Sequence, residues 1–240
     1  MRILAIETSE RVGTLAALQS TENSASVVCA ATLPSDQRSA RSLLPAIKTL
    51  LDDCDWKPNQ LDLICVTTGP GSFTGLRIGV TTAKTLAYAT GAELVGVHTL
   101  AAMAGGVAAV LSAEVAAEVA VPWMRFWTLL DAQRQELFVA NFQPGWQPDE
   151  LPRTRILGIE QWLQELRPGD VVSGPPLQKL AEQLPAQVRR ADAADWPPRA
   201  EIVGQLGVAA YHSGNAVDAM QLVPRYYRKS AAEEKAERQR

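Results

Sequence analysis

Histidine and cysteine are nearly missing from this chain, whose 240 residues hold only His98, His212, Cys29, Cys54 and Cys65. Neither histidine belongs to an HExxH, HxxxH or Cys/His cluster and no two cysteines have CxxC spacing, which excludes the usual zinc sites and a disulfide framework. The three thiols read as packing or idle groups. There is no GxSxG elbow for a serine hydrolase, no P-loop lysine and no GxGxxG spacing. No segment approaches the ~20 apolar residues of a membrane span, and the run Met1 to Ile6 stops too early, at Glu7, for a signal peptide. A cytoplasmic location without a membrane partner is expected. The net charge of -3 gives no global attraction to polyanions. Only the end departs from this: Arg225 to Arg240 carries six basic and three acidic residues, a local +3 that leaves -6 for the rest. Such a mixed run reads as a solvated terminus, with contact to RNA phosphate as the sharper alternative.

What is present is a succession of short apolar runs and amphipathic helices. Ile3 to Ile6 and Gly13 to Leu18 bracket the polar turn Thr8-Ser9-Glu10-Arg11 and predict a hairpin, with Val27 to Leu33 as a third strand. Leu43, Leu44, Ile47, Leu50 and Leu51 repeat at helical spacing, so a helix is predicted from about Ser39 to Cys54, starting near Ser42 or kinked at Pro45. Leu61 to Thr67, Thr74 to Thr90 and Leu94 to His98 read as strand, helix and parallel strand. An alanine-rich helix from Ala101 to Val119 precedes a second hairpin, Phe126 to Leu130 and Glu136 to Phe142, which echoes the first. Gln143 to Pro152 reads as a loop; Glu160 to Leu166 and Leu177 to Leu184 read as helices around a strand, Asp170 to Ser173. A last helix, Glu201 to Tyr211, follows Trp196-Pro197-Pro198. Two hairpin-led α/β units in one chain suggest a duplicated architecture.

Three segments could carry chemistry. Gly69 and Gly71 flank Pro70 in a strand-to-helix turn where backbone N–H groups, capped by Ser72 or Thr74, could meet an anion or simply turn the chain. Gly75, Gly79, Ala83 and Ala87 recur every fourth residue and make one helix face nearly flat, for the chain's own sheet or for a partner's helix. Glu7, Thr8 and Ser9 place an acid and two hydroxyls in the first hairpin turn, as duplicated phosphotransferases do around magnesium and phosphate. Glu7, Thr8, Ser9, Gly69, Gly71 and Ser72 are therefore the candidate nucleotide- or anion-binding set.

MRILAIETS, SLLPAI, TTGPGSFTGLRIGVTTAKTLA, GVHTLAAMA, DAQRQELFVANF and VPRYYRK together resemble the TsaB (YeaZ) family of the bacterial tRNA threonylcarbamoyladenosine machinery, from Arg2 to about Arg228. The resemblance implies an α/β, duplicated actin/hexokinase-like (ASKHA, RNase H-like) fold with two mixed-sheet domains. Residues 1–103 with about 199–228 would form a partner-binding domain, 104–198 a smaller second domain and 229–240 a flexible tail. The family is similar to the catalytic subunit TsaD, in which two metal-binding histidines follow the strand after the GPG-led helix. Laid on that pattern, this chain has Thr99 and Met103 at the ligand positions, and neither replaces imidazole for a hard metal. The resemblance thus implies a pseudoenzyme with no catalytic or metal residues and no cofactor of its own, which binds and activates TsaD for threonylcarbamoyl transfer to the adenosine beside the anticodon. TsaE would join the complex, tRNA would be reached through it, ATP or ADP could lie at its junction, and a homodimer would form when TsaD is absent. The implied partner surface comprises Leu43, Leu44, Ile47, Leu51, Phe73, Gly75, Arg77, Gly79, Ala83 and Ala87, so Gly79→Leu is expected to abolish docking while sparing the fold. Ser39 stands where many members have histidine. The alternative from another class is an ATP-dependent small-molecule kinase built on Glu7; a peptidase lacks both a metal pair and a nucleophile–base motif.

Overall fold

The structure is a computed structural model, described for residues 1–21, 25–34, 39–116, 125–143, 145–147 and 150–228. The first hairpin forms as expected: β1 (Arg2–Glu7) runs antiparallel to β2 (Thr14–Ser20), and β3 (Ala25–Thr32) extends it. Helix α1 (Ser39–Asp53) leads to β4 (Leu63–Gly69), which pairs parallel with β1. Helix α2 (Phe73–Thr90) then crosses to β5 (Glu93–His98), parallel to β4. Pro45 sits inside α1 on its exposed side, where water can satisfy the carbonyl its missing N–H leaves open.

Helix α3 (Thr99–Ala116) begins directly at the end of β5, and the predicted extension to Val119 lies outside the described residues. The second unit repeats the first. β6 (Phe126–Asp131), β7 (Glu136–Phe142) and β8 (Arg155–Gly158) are antiparallel neighbours, while β9 (Val171–Ser173) and β10 (Arg189–Arg190) are added parallel on the other side of β6. The two strand orders, β3-β2-β1-β4-β5 and β8-β7-β6-β9-β10, are the same topology. The duplication inferred from two hairpins is therefore observed at the level of whole sheets. Between these strands lie α4 (Ile159–Glu165) and the single turn α5 (Leu177–Leu180), shorter than the helix predicted to Leu184; α6 (Ala200–His212) follows. Strands β8 and β10, four and two residues long, are too short to give a periodic signal.

Alternation along the strands divides the core. Leu4, Ile6, Ile64 and Val66 face α1 and α2, whereas Ile3, Ala5, Leu63 and Cys65 face α3 and α6. α3 serves both sheets: Ala101 and Ala102 join the first core, while Leu100, Met103, Ala104 and Val107 pack on Phe126, Phe142 and Val171 of the second. Beyond the second sheet, Trp162, Leu177 and Leu180 cover Trp127 and Leu129. The result is five layers, helices alternating with sheets, with α3 and α6 in the middle. The tail beyond Arg228 lies outside the described residues.

Candidate functional site

The first hairpin turn is sealed. Glu7, Thr8 and Ser9 are fully buried; Oε1 of Glu7 accepts the Ser9 N–H at 2.6 Å, the Ser9 hydroxyl, and the Thr67 hydroxyl at 3.4 Å. Its Oε2 has no hydrogen-bond partner among the described residues. Burial pushes the Glu7 carboxyl up to about 7 against the lowering pull of the Ser9 hydrogen bonds. The glycine-rich turn presses on the same place: a Cβ on Gly71, at φ +149°, would stand 2.5 Å from the Ser9 carbonyl, and the Ser72 N–H donates to that carbonyl at 2.6 Å. Likewise a Cβ on Gly69, at φ +121°, would stand 2.6 Å from the Arg225 carbonyl. The glycines admit the chain's own backbone. Of the candidate nucleotide-binding set, Gly71 and Ser72 line an open groove and Ser9 lies buried at its wall, but Glu7, Thr8 and Gly69 do not border it. That is a correction to the sequence reading, and it leaves Glu7, the acid on which the kinase alternative is built, out of reach of the groove.

The small-residue stripe is corrected as well. Gly75, Gly79, Ala83 and Ala87 are buried on the inner face of α2. Cβ atoms there would approach Thr8 O to 2.0 Å at Gly75 and Thr8 Oγ1 to 2.1 Å at Gly79, and the Thr8 hydroxyl donates to the Gly75 carbonyl at 2.9 Å. The stripe exists so that α2 can lie on the first turn, and Gly79→Leu cannot spare the fold. In α1, Leu43, Ile47 and Leu51 are likewise core residues. Of the ten residues assigned to a partner surface, Leu44, Phe73 and Arg77 reach the surface. Leu44 is 56% exposed, and near the far end of α2 Tyr88 is 81% exposed. The periodicity marked both helices correctly but could not say which face remained open.

Between the two units runs a groove of about 1750 Å³, its walls formed by the two hairpin turns, the start of α2 and the segment around α5. Its floor includes Arg225-Tyr226-Tyr227-Arg228, a strap joining both units. The Arg225 N–H donates to the Thr68 carbonyl at 2.7 Å, and Arg228 donates to the Ala132 carbonyl and to Glu136. The Tyr227 hydroxyl lies 2.8 Å from His98 Nε2, which is also 3.0 Å from Thr154 Oγ1, while the Leu100 N–H donates to Nδ1 at 3.2 Å. Nδ1 is thus the unprotonated nitrogen. Burial, helped by the Arg225 charge, pushes His98 down to about 3, so it stays a neutral hydrogen-bonding residue. Thr99 and Met103 next to it are buried, Met103 within the core of the second unit. The groove wall holds one further feature that the sequence did not announce: Gln133, Arg134 and Gln135 are all left-handed, at φ +64°, +58° and +63°. None is glycine, so this turn carries local strain.

Two stacked α/β units of one topology, joined through shared middle helices, define the class. The profile of the family described as "TsaD: tRNA N6-adenosine threonylcarbamoyltransferase" matches residues 34–223. The tRNA threonylcarbamoyladenosine biosynthesis protein TsaB of Bacillus subtilis (strain 168) is 30% identical over 250 residues, covering 98% of this chain and 97% of that protein. The structure of YeaZ from Pseudomonas aeruginosa superposes with a TM-score of 0.71 at 25% identity, covering 94% of this chain and 99% of that one. A second structure, an uncharacterized protein with similarity to peptidase YEAZ from Pseudomonas aeruginosa, gives 0.71 at 26% identity over 95% and 99%. The chain belongs to the TsaB (YeaZ) family of tRNA threonylcarbamoyladenosine biosynthesis.

Proposed function

We propose that the chain is the non-catalytic subunit that docks on TsaD and activates it for threonylcarbamoyl transfer to the adenosine next to the anticodon. One observation carries this reading: at the start of α3, where the catalytic relative is expected to hold a metal, this chain has buried Thr99 and Met103 beside a neutral, hydrogen-bonded His98. A core thioether and a single buried hydroxyl do not make up the imidazole or carboxylate donor set that a catalytic metal needs. Docking uses the outer face of α1 and α2, where Leu44 and Tyr88 are exposed and large. TsaE joins the assembled pair, ATP or ADP lies at its junction, tRNA is engaged within the complex, and a second copy covers the same face when TsaD is absent.

The direct test is co-purification with TsaD of the full chain and of Leu44→Asp with Tyr88→Ala. Both side chains are exposed, so the folded state should change by no more than about 0.5 kcal/mol. Capture of TsaD is expected to drop at least tenfold, as for loss of interface anchors. Full retention of TsaD by the double variant would remove this face from the interface.

A further inference from the structure

The groove between the units gathers basic side chains on an acidic chain. Arg11, Arg77, Arg134, Lys179, Arg225 and Arg228 line it against Glu10, Asp131 and Glu136. The Arg228–Glu136 ion pair is internal. Arg134 has interactions of its own, so four basic and two acidic residues remain, a local +2 where the whole chain is -3. At about 1750 Å³ the groove exceeds the roughly 300–1,000 Å³ typical of a small-molecule pocket. Its rim carries a preformed aromatic platform. Phe73 and Tyr226 have ring centroids 4.6 Å apart, the Arg77 guanidinium lies 4.0 Å from the Phe73 centroid, and the Arg77 Nε–H donates to the Tyr226 hydroxyl at 2.9 Å. Tyr226 is nonetheless 44% exposed. The facing wall is formed by the strained turn of Gln133, Arg134 and Gln135, in which the Gln133 side-chain amide donates to Asp131 at 3.2 Å.

We propose that this groove binds a single-stranded stretch of RNA directly, with the basic walls tracking the phosphates and the Phe73–Tyr226 platform stacking a base. The proposal rests on the tRNA-pathway reading for the identity of the polyanion and on the groove for everything else. Cations spaced along a cleft with an exposed aromatic edge are the two elements by which single strands are held without a paired-base code. A mononucleotide would occupy a fraction of the cleft and would engage one wall only.

The test uses the isolated full chain, without TsaD, and a fluorescently labelled anticodon stem-loop RNA followed by anisotropy across a salt series. With about four phosphates neutralised, log affinity should fall with log salt with a slope near -3. Arg11→Gln with Lys179→Gln, both exposed, should reduce that slope by about 1.4 and leave TsaD co-purification unchanged. Tyr226→Ala should weaken binding at least fivefold at every salt concentration with the slope preserved. Absence of salt-dependent binding, binding of ATP without binding of RNA, or binding unchanged in the Arg11/Lys179 variant, as the basic tail alone would give, overturns the proposal. Because the docking reading is scored by TsaD capture and this one by RNA affinity, either can fail alone.

Discussion

Alanine at Gly79 puts the packing of α2 on the first turn to a quantitative test. Its Cβ would lie 2.1 Å from Thr8 Oγ1 and 3.4 Å from Thr8 Cβ. An alanine in a helix interior normally gains about 1 kcal/mol over glycine. Here the Thr8 side chain has to rotate away, breaking its 2.9 Å hydrogen bond to the Gly75 carbonyl, worth about 1 kcal/mol, and overpacking adds about 1–3 kcal/mol. The net expectation is a destabilisation of about 1–3 kcal/mol. Thr8→Ala alone loses the same hydrogen bond but removes the obstructing oxygen, so the double variant should be no less stable than Thr8→Ala. A double-mutant cycle by urea denaturation would then show a coupling of about 1–3 kcal/mol between the two sites. If Gly79→Ala is as stable as the parent and the cycle is additive, the stripe does not lie on the turn as described.

Two further outcomes follow from buried charges. Glu7 keeps its proton in the folded chain to about pH 7, against 4.5 for an ordinary glutamate, so its contribution is fully present below pH 4.5 and is lost as pH rises through 7, about 3 kcal/mol in all. Glu10 is also held up to about 7, by burial and by the charge of Asp131, and titrates in the same window. Thermal melts of Glu7→Gln should lose about half of the decline in stability between pH 4.5 and 8; an unaltered profile would show that Glu7 is not the titrating group. In the second unit, the buried Asp170 carboxylate accepts from Arg125 at 2.6 and 2.9 Å, from the Trp127 indole at 3.1 Å and from the Arg167 N–H at 3.0 Å. Asp170→Ala strands the mostly buried Arg125 and should cost about 3–5 kcal/mol by denaturant titration, whereas a loss under 1 kcal/mol would mean the pair is solvated.

The strand and helix order was legible because hairpins, glycine turns and 3.6-residue apolar spacing leave strong local patterns. What stayed hidden depends on distance in space. That α6 lies on the first sheet, with Gly204 against Leu18 and Gly207 against Cys65, has no local signal. The same holds for Cys29 and Cys54, scattered in sequence yet brought into side-chain contact where α1 meets β3, which, with burial the larger cause, raises the Cys54 thiol to about 12. The Gly75–Ala87 stripe announced close approach but not to what, and the answer, Thr8, is 67 residues from Gly75. The strap Arg225 to Arg228 drew attention through its charge and its resemblance to other chains; its role as the joint between the units required His98, Thr68 and Ala132 to be seen beside it.

The central claim is that this chain does not carry the chemistry but is needed by the subunit that does. Reconstituting threonylcarbamoyl transfer to tRNA with this chain alone, TsaD alone and the two together, with TsaE and the activated threonylcarbamoyl donor supplied throughout, tests it directly. Modified tRNA is expected only when both are present. Product from this chain without TsaD, or equal product from TsaD without this chain, would contradict the account.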